Sequence, residues 1–412
     1  MSISTTMAPN ASSKSKLMKQ LLWSVSLALI VGTLAACSSL PSPGPAPATE
    51  TPTAPPDTPA PASAMAWPGD DAPLPAPLQR SKSLWTPVRW AELPGLASDP
   101  LHEAWNAWIK SCERPGPVFT PLCGDVRRLS LGSAEEQLGW MMQRLQPYRV
   151  EPMPGNGGAT ATTEGLLTGY FEPLMEASRL PNATYKVPLY QPPLTLAQRK
   201  PWYTRQEIDT RADVQATLRG REIAYLADPV EALILQIQGS GRVRVTEADG
   251  SQRLVRLAFA GSNDQPYKSV GRWLLDQGAI RDASWPAIRA WTQANPARVS
   301  EMLWSNPRTV FFREELLSEL DAAFGPRGAQ GVALTPGRSI AVDPASIPYG
   351  TPVWLASSGP VTSLQRLVLA QDTGSAITGA VRADYFAGWG PQAGELAGRL
   401  KQPLRLWALW PK

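Results

Sequence analysis

The sequence predicts an α+β fold in which helices and strands are gathered in blocks. Three observations carry that prediction. Apolar residues recur at helical spacing over about 100–145; short strand-like runs punctuated by turn residues follow from Leu166; and no regular strand–helix–strand alternation marks a parallel sheet. At 412 residues the chain is long enough for two globular domains with tails.

The first segment is an address rather than a fold. Lys14, Lys16 and Lys19 precede the apolar run Leu21–Ala36, and Cys37 follows it. Basic-then-apolar order is that of a secretory leader, and 16 residues fall short of the roughly 20 that a membrane-crossing helix needs. Leu34-Ala-Ala-Cys37 resembles the bacterial lipobox, which implies lipidation of Cys37 and removal of 1–36. Ser38, by the same resemblance, favours the outer membrane, with the protein facing the periplasm. The Pro-, Ala- and Thr-rich stretch over 37–77 reads as an extended tether.

Leu101, Trp105, Trp108 and Cys112 predict an amphipathic helix over 100–112. Ser133-Ala-Glu-Glu136 has the capping-box pattern, and Leu138, Met141, Met142 and Leu145 supply the apolar stripe behind it. Cys112 and Cys123 either pair across a Pro- and Gly-rich loop or stay as buried thiols.

Strands are expected at Leu166–Tyr170, Tyr185–Tyr190, Ala232–Ile237, Arg242–Thr246 and Arg253–Phe259. Gly239-Ser-Gly241 and Asp249-Gly250 punctuate the last three as a β-meander. Helices are expected at 269–277, 286–294 and 297–304, with Pro286 and Pro296 in their first turns. Strands resume at Arg338–Val342, Pro352–Ala356, Gln365–Ala370 and Leu404–Trp410.

Composition narrows the chemistry. His102 is the only histidine, which excludes a Ser-His-Asp triad, a Cys-His pair and a His-rich zinc site. Removing Lys14, Lys16 and Lys19 from a formal charge of +4 leaves +1, so there is no electrostatic case for nucleic acid. Catalysis falls to carboxylates. Asp343, Asp372 and Asp384 stand in short Gly-rich contexts at or just beyond predicted strand ends, where convergence raises one carboxyl's pKa and keeps it an acid. Each taken alone also fits a turn-capping role. Asp372-Thr-Gly-Ser375 further matches the aspartic protease motif, but a single copy requires a dimer to form the dyad.

Six segments in order then carry a resemblance: Leu167-Thr-Gly-Tyr-Phe-Glu-Pro173, Ile237-Gln-Gly-Ser-Gly241, Tyr267-Lys-Ser-Val-Gly271, Asp343-Pro-Ala-Ser-Ile-Pro-Tyr-Gly-Thr351, Gln371-Asp-Thr-Gly-Ser-Ala-Ile377 and Ala393-Gly-Glu-Leu-Ala-Gly398. Together they resemble the membrane-bound lytic transglycosylase A family, the last three falling in its three-aspartate domain. Ser375 stands where that family more often has glycine.

The resemblance implies a double-psi β-barrel with a second β-rich domain inserted into it and a groove between the two. It places barrel segments at 78–180 and 326–412 and the insert at 181–325. It implies cleavage of peptidoglycan glycan strands to 1,6-anhydro ends, with Asp384 as catalytic acid, Asp372 its neighbour and Asp343 in support. Thr168, Tyr170, Gln238 and Ser240 are the expected substrate-binding side chains, since saccharides are held by hydroxyl and amide groups. No metal or organic cofactor is implied. A non-catalytic glycan-binding lipoprotein is the competing class.

Overall fold

The computed structural model describes residues 70, 72–154 and 163–412. The leader, Cys37 and most of the tether lie outside them.

Two sheets organise the described chain, one of nine strands and one of six. Within the first, a ring closes through Lys401–Pro411, Pro352–Ser358, Ser363–Asp372, Ser339–Val342, Arg382–Trp389 and Gly165–Glu172, which returns to Lys401–Leu404. Two neighbouring pairs in the ring are parallel: Ser339–Val342 with Ser363–Asp372, and Arg382–Trp389 with Gly165–Glu172. This is the expected barrel. Leu167, Ile340, Val353, Val368, Ala383 and Leu406 belong to one buried cluster along its strands.

The N-terminal block packs on another face. Ser83–Pro87 and Leu145–Pro152 extend the sheet from the far half of Lys401–Pro411. Helices Leu101–Ser111 and Ala134–Arg144 bring Trp105, Trp108, Trp140 and Met141 onto Trp354, Leu367, Leu369 and Trp407. Ser133 accepts from the Glu136 N–H while the Glu136 carboxylate accepts from the Ser133 N–H, so the capping box forms as read. Cys112 and Cys123 form a disulfide across the turn between two short helices, with Cα atoms 5.5 Å apart.

The second sheet runs Val310–Leu316, Gln252–Ser262, Ser240–Thr246, Leu174–Ser178, Glu222–Leu226 and Val187–Tyr190. Its first strand starts at Leu174, ahead of 181. Helices Val270–Asp276, Trp285–Ala294 and Val299–Trp304 complete its core.

One expected strand is a helix. Ala232–Ile237 lies inside the helix Pro229–Gln238, so the three-strand meander is a two-strand hairpin preceded by a helix. A continuous apolar run has the same appearance in a buried strand and a buried helix. The caps decide: Asp228 accepts from the Val230 N–H, Pro229 opens the first turn, and Gly239 ends the helix at φ +80°.

The crossing from barrel to second sheet is pinned at Glu172, which is wholly buried. Its carboxylate accepts from Arg242 Nε at 2.8 Å and Arg256 Nε at 2.6 Å. Both guanidiniums also donate to the Phe324 carbonyl on the returning segment, and Arg242 lies 3.9 Å over the Trp389 ring. Breaking such a buried pair from one side costs about 3–5 kcal/mol. The barrel strand, the second sheet and the returning segment are thus tied at one point beside the groove.

Candidate active site

A groove lies between the barrel and the second sheet. It consists of two adjoining cavities, of about 550 Å³ and 260 Å³. Both are bounded by Gln236, Ile237, Arg308 and Val310 on one wall and by Gly374 and Ser375 on the other. Asp372 lines the larger cavity and Asp384 the smaller.

Asp384 sits in the Arg382–Trp389 strand, opposite Ala341 on one side and Thr168 on the other. Directly paired residues share a face, and so do residues two apart on one strand, which brings Arg382, Asp384 and Thr168 together. The Thr168 hydroxyl donates to Asp384 Oδ1. Arg382 Nη2 donates to Thr168 Oγ1 at 2.9 Å. With that lone pair taken by a cation, the hydroxyl proton is directed at Asp384. Burial raises the Asp384 pKa, against the opposing pull of the Thr168 hydrogen bond and the Arg382 charge.

Asp372 ends the Ser363–Asp372 strand. Its Oδ2 accepts from the Tyr170 hydroxyl and its Oδ1 from the Ala329 N–H, each at 2.9 Å. Burial pushes its pKa up to about 6, with the Asp384 charge adding to the rise and the N–H groups of Thr373 and Ala329 and the Tyr170 hydroxyl opposing it. Burial also lifts the Tyr170 hydroxyl well above its ordinary pKa, so it stays a neutral donor. The like-charge effect expected between the aspartates thus falls on Asp372, and burial is the larger cause for both.

The Thr168-Gly-Tyr170 motif has a direct physical reading. Thr168 and Tyr170, two apart on one strand, each donate to one of the two carboxyls. Gly169 between them faces the helix Gly390–Arg399, where a Cβ would come within 2.8 Å of the Ala397 Cα. Only glycine lets the helix pack that close.

Asp343 is placed differently. It is 4% exposed and lines neither cavity of the groove. Its carboxylate accepts from Lys82 Nζ at 2.9 Å, the Gly379 N–H at 2.9 Å and the Ala345 N–H at 3.0 Å. Burial opposes its ionisation, but those three donors outweigh burial and hold the carboxyl below its ordinary range. The Asp343 carboxylate ties the turn at Ala345, the Gly379 loop and the N-terminal segment together.

Gln238 and Ser240 line the larger cavity. Gln238 Oε1 accepts from the Phe171 N–H at 3.0 Å, linking the helix end to the barrel strand. Several arginines in the groove were not foreseen from the sequence: Arg382, Arg308 and Arg205, the last buried and donating to the carbonyls of Asn306 and Arg308 and to Gln236 Oε1. Arg382 had a usable signal, its spacing of two from Asp384, once 382–389 is read as a strand. Arg205 opens the helix Arg205–Thr210 and Arg308 lies in the segment before Val310–Leu316, and neither had one.

Comparison with known proteins agrees with this architecture. Residues 166–313 match the family model of the MltA specific insert domain, and residues 338–410 match that of the 3D domain. The sequence is 33% identical over 292 residues to the membrane-bound lytic murein transglycosylase A of Vibrio cholerae, covering 66% of this chain and 74% of that one. Among solved structures, the lytic transglycosylase LtgG of Burkholderia pseudomallei is 41% identical with a TM-score of 0.55, covering 82% of this chain and 98% of that chain. MltA from Neisseria gonorrhoeae is 28% identical with a TM-score of 0.67, covering 82% and 96%. The chain belongs to the membrane-bound lytic murein transglycosylase A family.

Proposed function

We propose that this protein cleaves the β-1,4 bond between N-acetylmuramyl and N-acetylglucosaminyl residues of peptidoglycan without water, leaving 1,6-anhydro-muramyl ends, with Asp384 as acid and then base. The observation that carries this reading is the setting of Asp384: a carboxyl in the groove whose pKa burial raises and whose Oδ1 is fixed by the Thr168 hydroxyl.

With Oδ1 accepting from Thr168, the acid proton resides on Oδ2. That proton passes to the glycosidic oxygen as the C1–O bond breaks and the alcohol leaves. The resulting carboxylate takes the proton from the sugar's own C6 hydroxyl as that oxygen bonds to C1. An intramolecular nucleophile has a high effective concentration, so no base is needed to activate water. Hydrolytic glycosidases instead place a second carboxylate to act on water or on the anomeric carbon. Both oxygens of Asp372 already accept hydrogen bonds, which favours an electrostatic role: its charge steadies the oxocarbenium-like centre.

In the same reading Cys37 is the lipidated first residue after loss of 1–36, and 37–77 tethers the enzyme to the outer membrane within reach of the periplasmic polymer. Segments 78–180 and 326–412 form the barrel domain and 181–325 the insert, whose sheet also recruits Leu174–Ser178. Gln238 and Ser240 contact the glycan from the insert side.

Incubating the full-length protein in detergent with purified murein tests the proposal by mass spectrometry of the products. Anhydro-muropeptides are the expected result. Reducing ends would make it a hydrolase, and intact murein a binding protein.

A further inference from the structure

The groove holds more positive charge than its two carboxyls balance. Arg308 lines both cavities, and Arg114 and Arg327 line the larger. Arg308 is half-buried, and among the described residues its side chain hydrogen-bonds from Nη1 to the Gln265 carbonyl at 3.2 Å. Arg327 Nη1 donates to the Gly331 carbonyl at 3.1 Å, and the Arg114 side chain crosses the same glycine, since a Cβ there would meet Arg114 Nη1 at 2.9 Å. Among the described residues none of these three guanidiniums has a carboxylate within ion-pair distance. The contrast on the same wall is Arg313, paired with Glu315 at 2.7 Å, while Asp264 near Arg308 is engaged by Lys200 at 3.5 Å. Burial lowers the Arg308 pKa, with the charge of the nearby Asp264 opposing the fall, so the guanidinium is partly desolvated without a carboxylate in direct contact.

The glycan backbone itself offers nothing that needs three cations: its hydroxyls and acetamido groups are neutral. The carboxylates of peptidoglycan hang from the lactyl group on C3 of the muramyl residue. They are either the lactyl carboxylate, where the peptide stem has been removed, or those of the stem. A guanidinium meets a carboxylate with two parallel N–H donors, and in a half-buried groove that pairing is screened less than on open surface.

We propose that Arg308, with Arg114 and Arg327 lining the same cavity, receives a carboxylate borne on the muramyl lactyl group, so that the groove selects anionic glycan over neutral glycan. This rests on the cleavage reading above and adds the feature by which a muramyl residue is recognised.

The test compares three substrates with the full-length enzyme: intact murein strands with stems, amidase-stripped strands with free lactyl carboxylates, and stripped strands whose lactyl carboxylates have been converted to carboxamides. The expected result is a KM about tenfold higher for the carboxamide strands than for whichever anionic strand is preferred, with the difference shrinking as salt is raised. The preferred anionic strand identifies the carboxylate as stem or lactyl. In Arg308→Gln the tenfold difference collapses towards unity, and Arg327→Gln reduces it less. Equal KM for all three substrates in the wild type overturns the inference even if neither variant folds. Failure of the wild type to yield anhydro ends from any of them overturns the cleavage reading instead.

Discussion

Asp343 and Asp384 lie in one barrel on neighbouring stretches of chain, yet their surroundings drive them in opposite directions. Asp343 accepts from one ammonium and two backbone N–H groups, and its carboxyl is held below the ordinary range. Asp384 has one hydroxyl donor and a nearby guanidinium, and burial lifts its pKa. Both lose water, so burial alone does not separate them. What does is a cation that donates directly: the Lys82 ammonium reaches Asp343, whereas burial weighs more heavily on Asp384 and the Arg382 guanidinium donates to Thr168 instead. A carboxylate that accepts directly from an ammonium becomes a lasting anion that fastens loops, whereas Asp384 and Asp372, given only neutral donors and weighed on more heavily by burial, keep access to their acid forms.

The largest effect expected from that contrast is on Asp384. Asp384→Asn keeps the acceptor that Thr168 needs but has no acid proton, so turnover of murein falls about a thousandfold while the thermal midpoint at neutral pH is held or raised. Steady-state release of anhydro-muropeptides and a melting curve check the two halves together.

Asp343→Ala should do the reverse. It leaves the Gly379 and Ala345 N–H groups without their acceptor, while the exposed Lys82 ammonium returns to water, at a cost of about 2 kcal/mol in urea unfolding. Activity per folded molecule falls far less than in Asp384→Asn. An equal catalytic loss in both variants would break the comparison.

A third effect concerns pH. Asp372, lifted from 3.8 to about 6, binds its proton more tightly in the folded protein than in the unfolded chain. Its contribution is therefore full below about 3.8 and is lost as pH rises through about 6, a decline of at most about 3 kcal/mol. Asp343, with a lowered pKa, contributes above its ordinary value and loses that contribution as acid is added. Urea melts from pH 4 to pH 7 should show a downward slope in the wild type that flattens in Asp372→Ala; an unchanged slope contradicts the assignment.

The smallest effect is the sharpest test of positioning. Thr168→Val removes the hydroxyl that lowers the Asp384 pKa and keeps the volume. Turnover falls about tenfold, and the alkaline limb of its pH profile moves up, because the protonated form is then favoured further. A purely structural role would not move that limb.

The sequence made the barrel's main strands legible, because apolar residues alternate or run continuously at Leu166–Tyr170, Arg338–Val342 and Leu404–Trp410. The three aspartates and the Thr168-Gly-Tyr170 motif were legible too, as short polar residues beside glycine with no histidine to compete. Ala232–Ile237 misled because an apolar run carries no period of its own, although Asp228-Pro229 and Gly239 bracket it as helix caps. The strands Ser83–Pro87, Leu145–Pro152 and Arg382–Trp389 escaped because proline, charge and glycine interrupt their alternation. Without the last of these, Arg382 could not be set beside Asp384. The arginines at Arg114, Arg308 and Arg327 are far apart in the chain, and only the packing of the second sheet against the barrel gathers them.

The most direct test of the contrast is a carboxyl ¹³C titration of aspartate-labelled protein, with resonances assigned through Asp343→Asn, Asp372→Asn and Asp384→Asn. The account predicts that Asp384 and Asp372 titrate above the ordinary aspartate value, Asp372 near 6, and that Asp343 titrates below it. An Asp343 that titrates above Asp384 would contradict it.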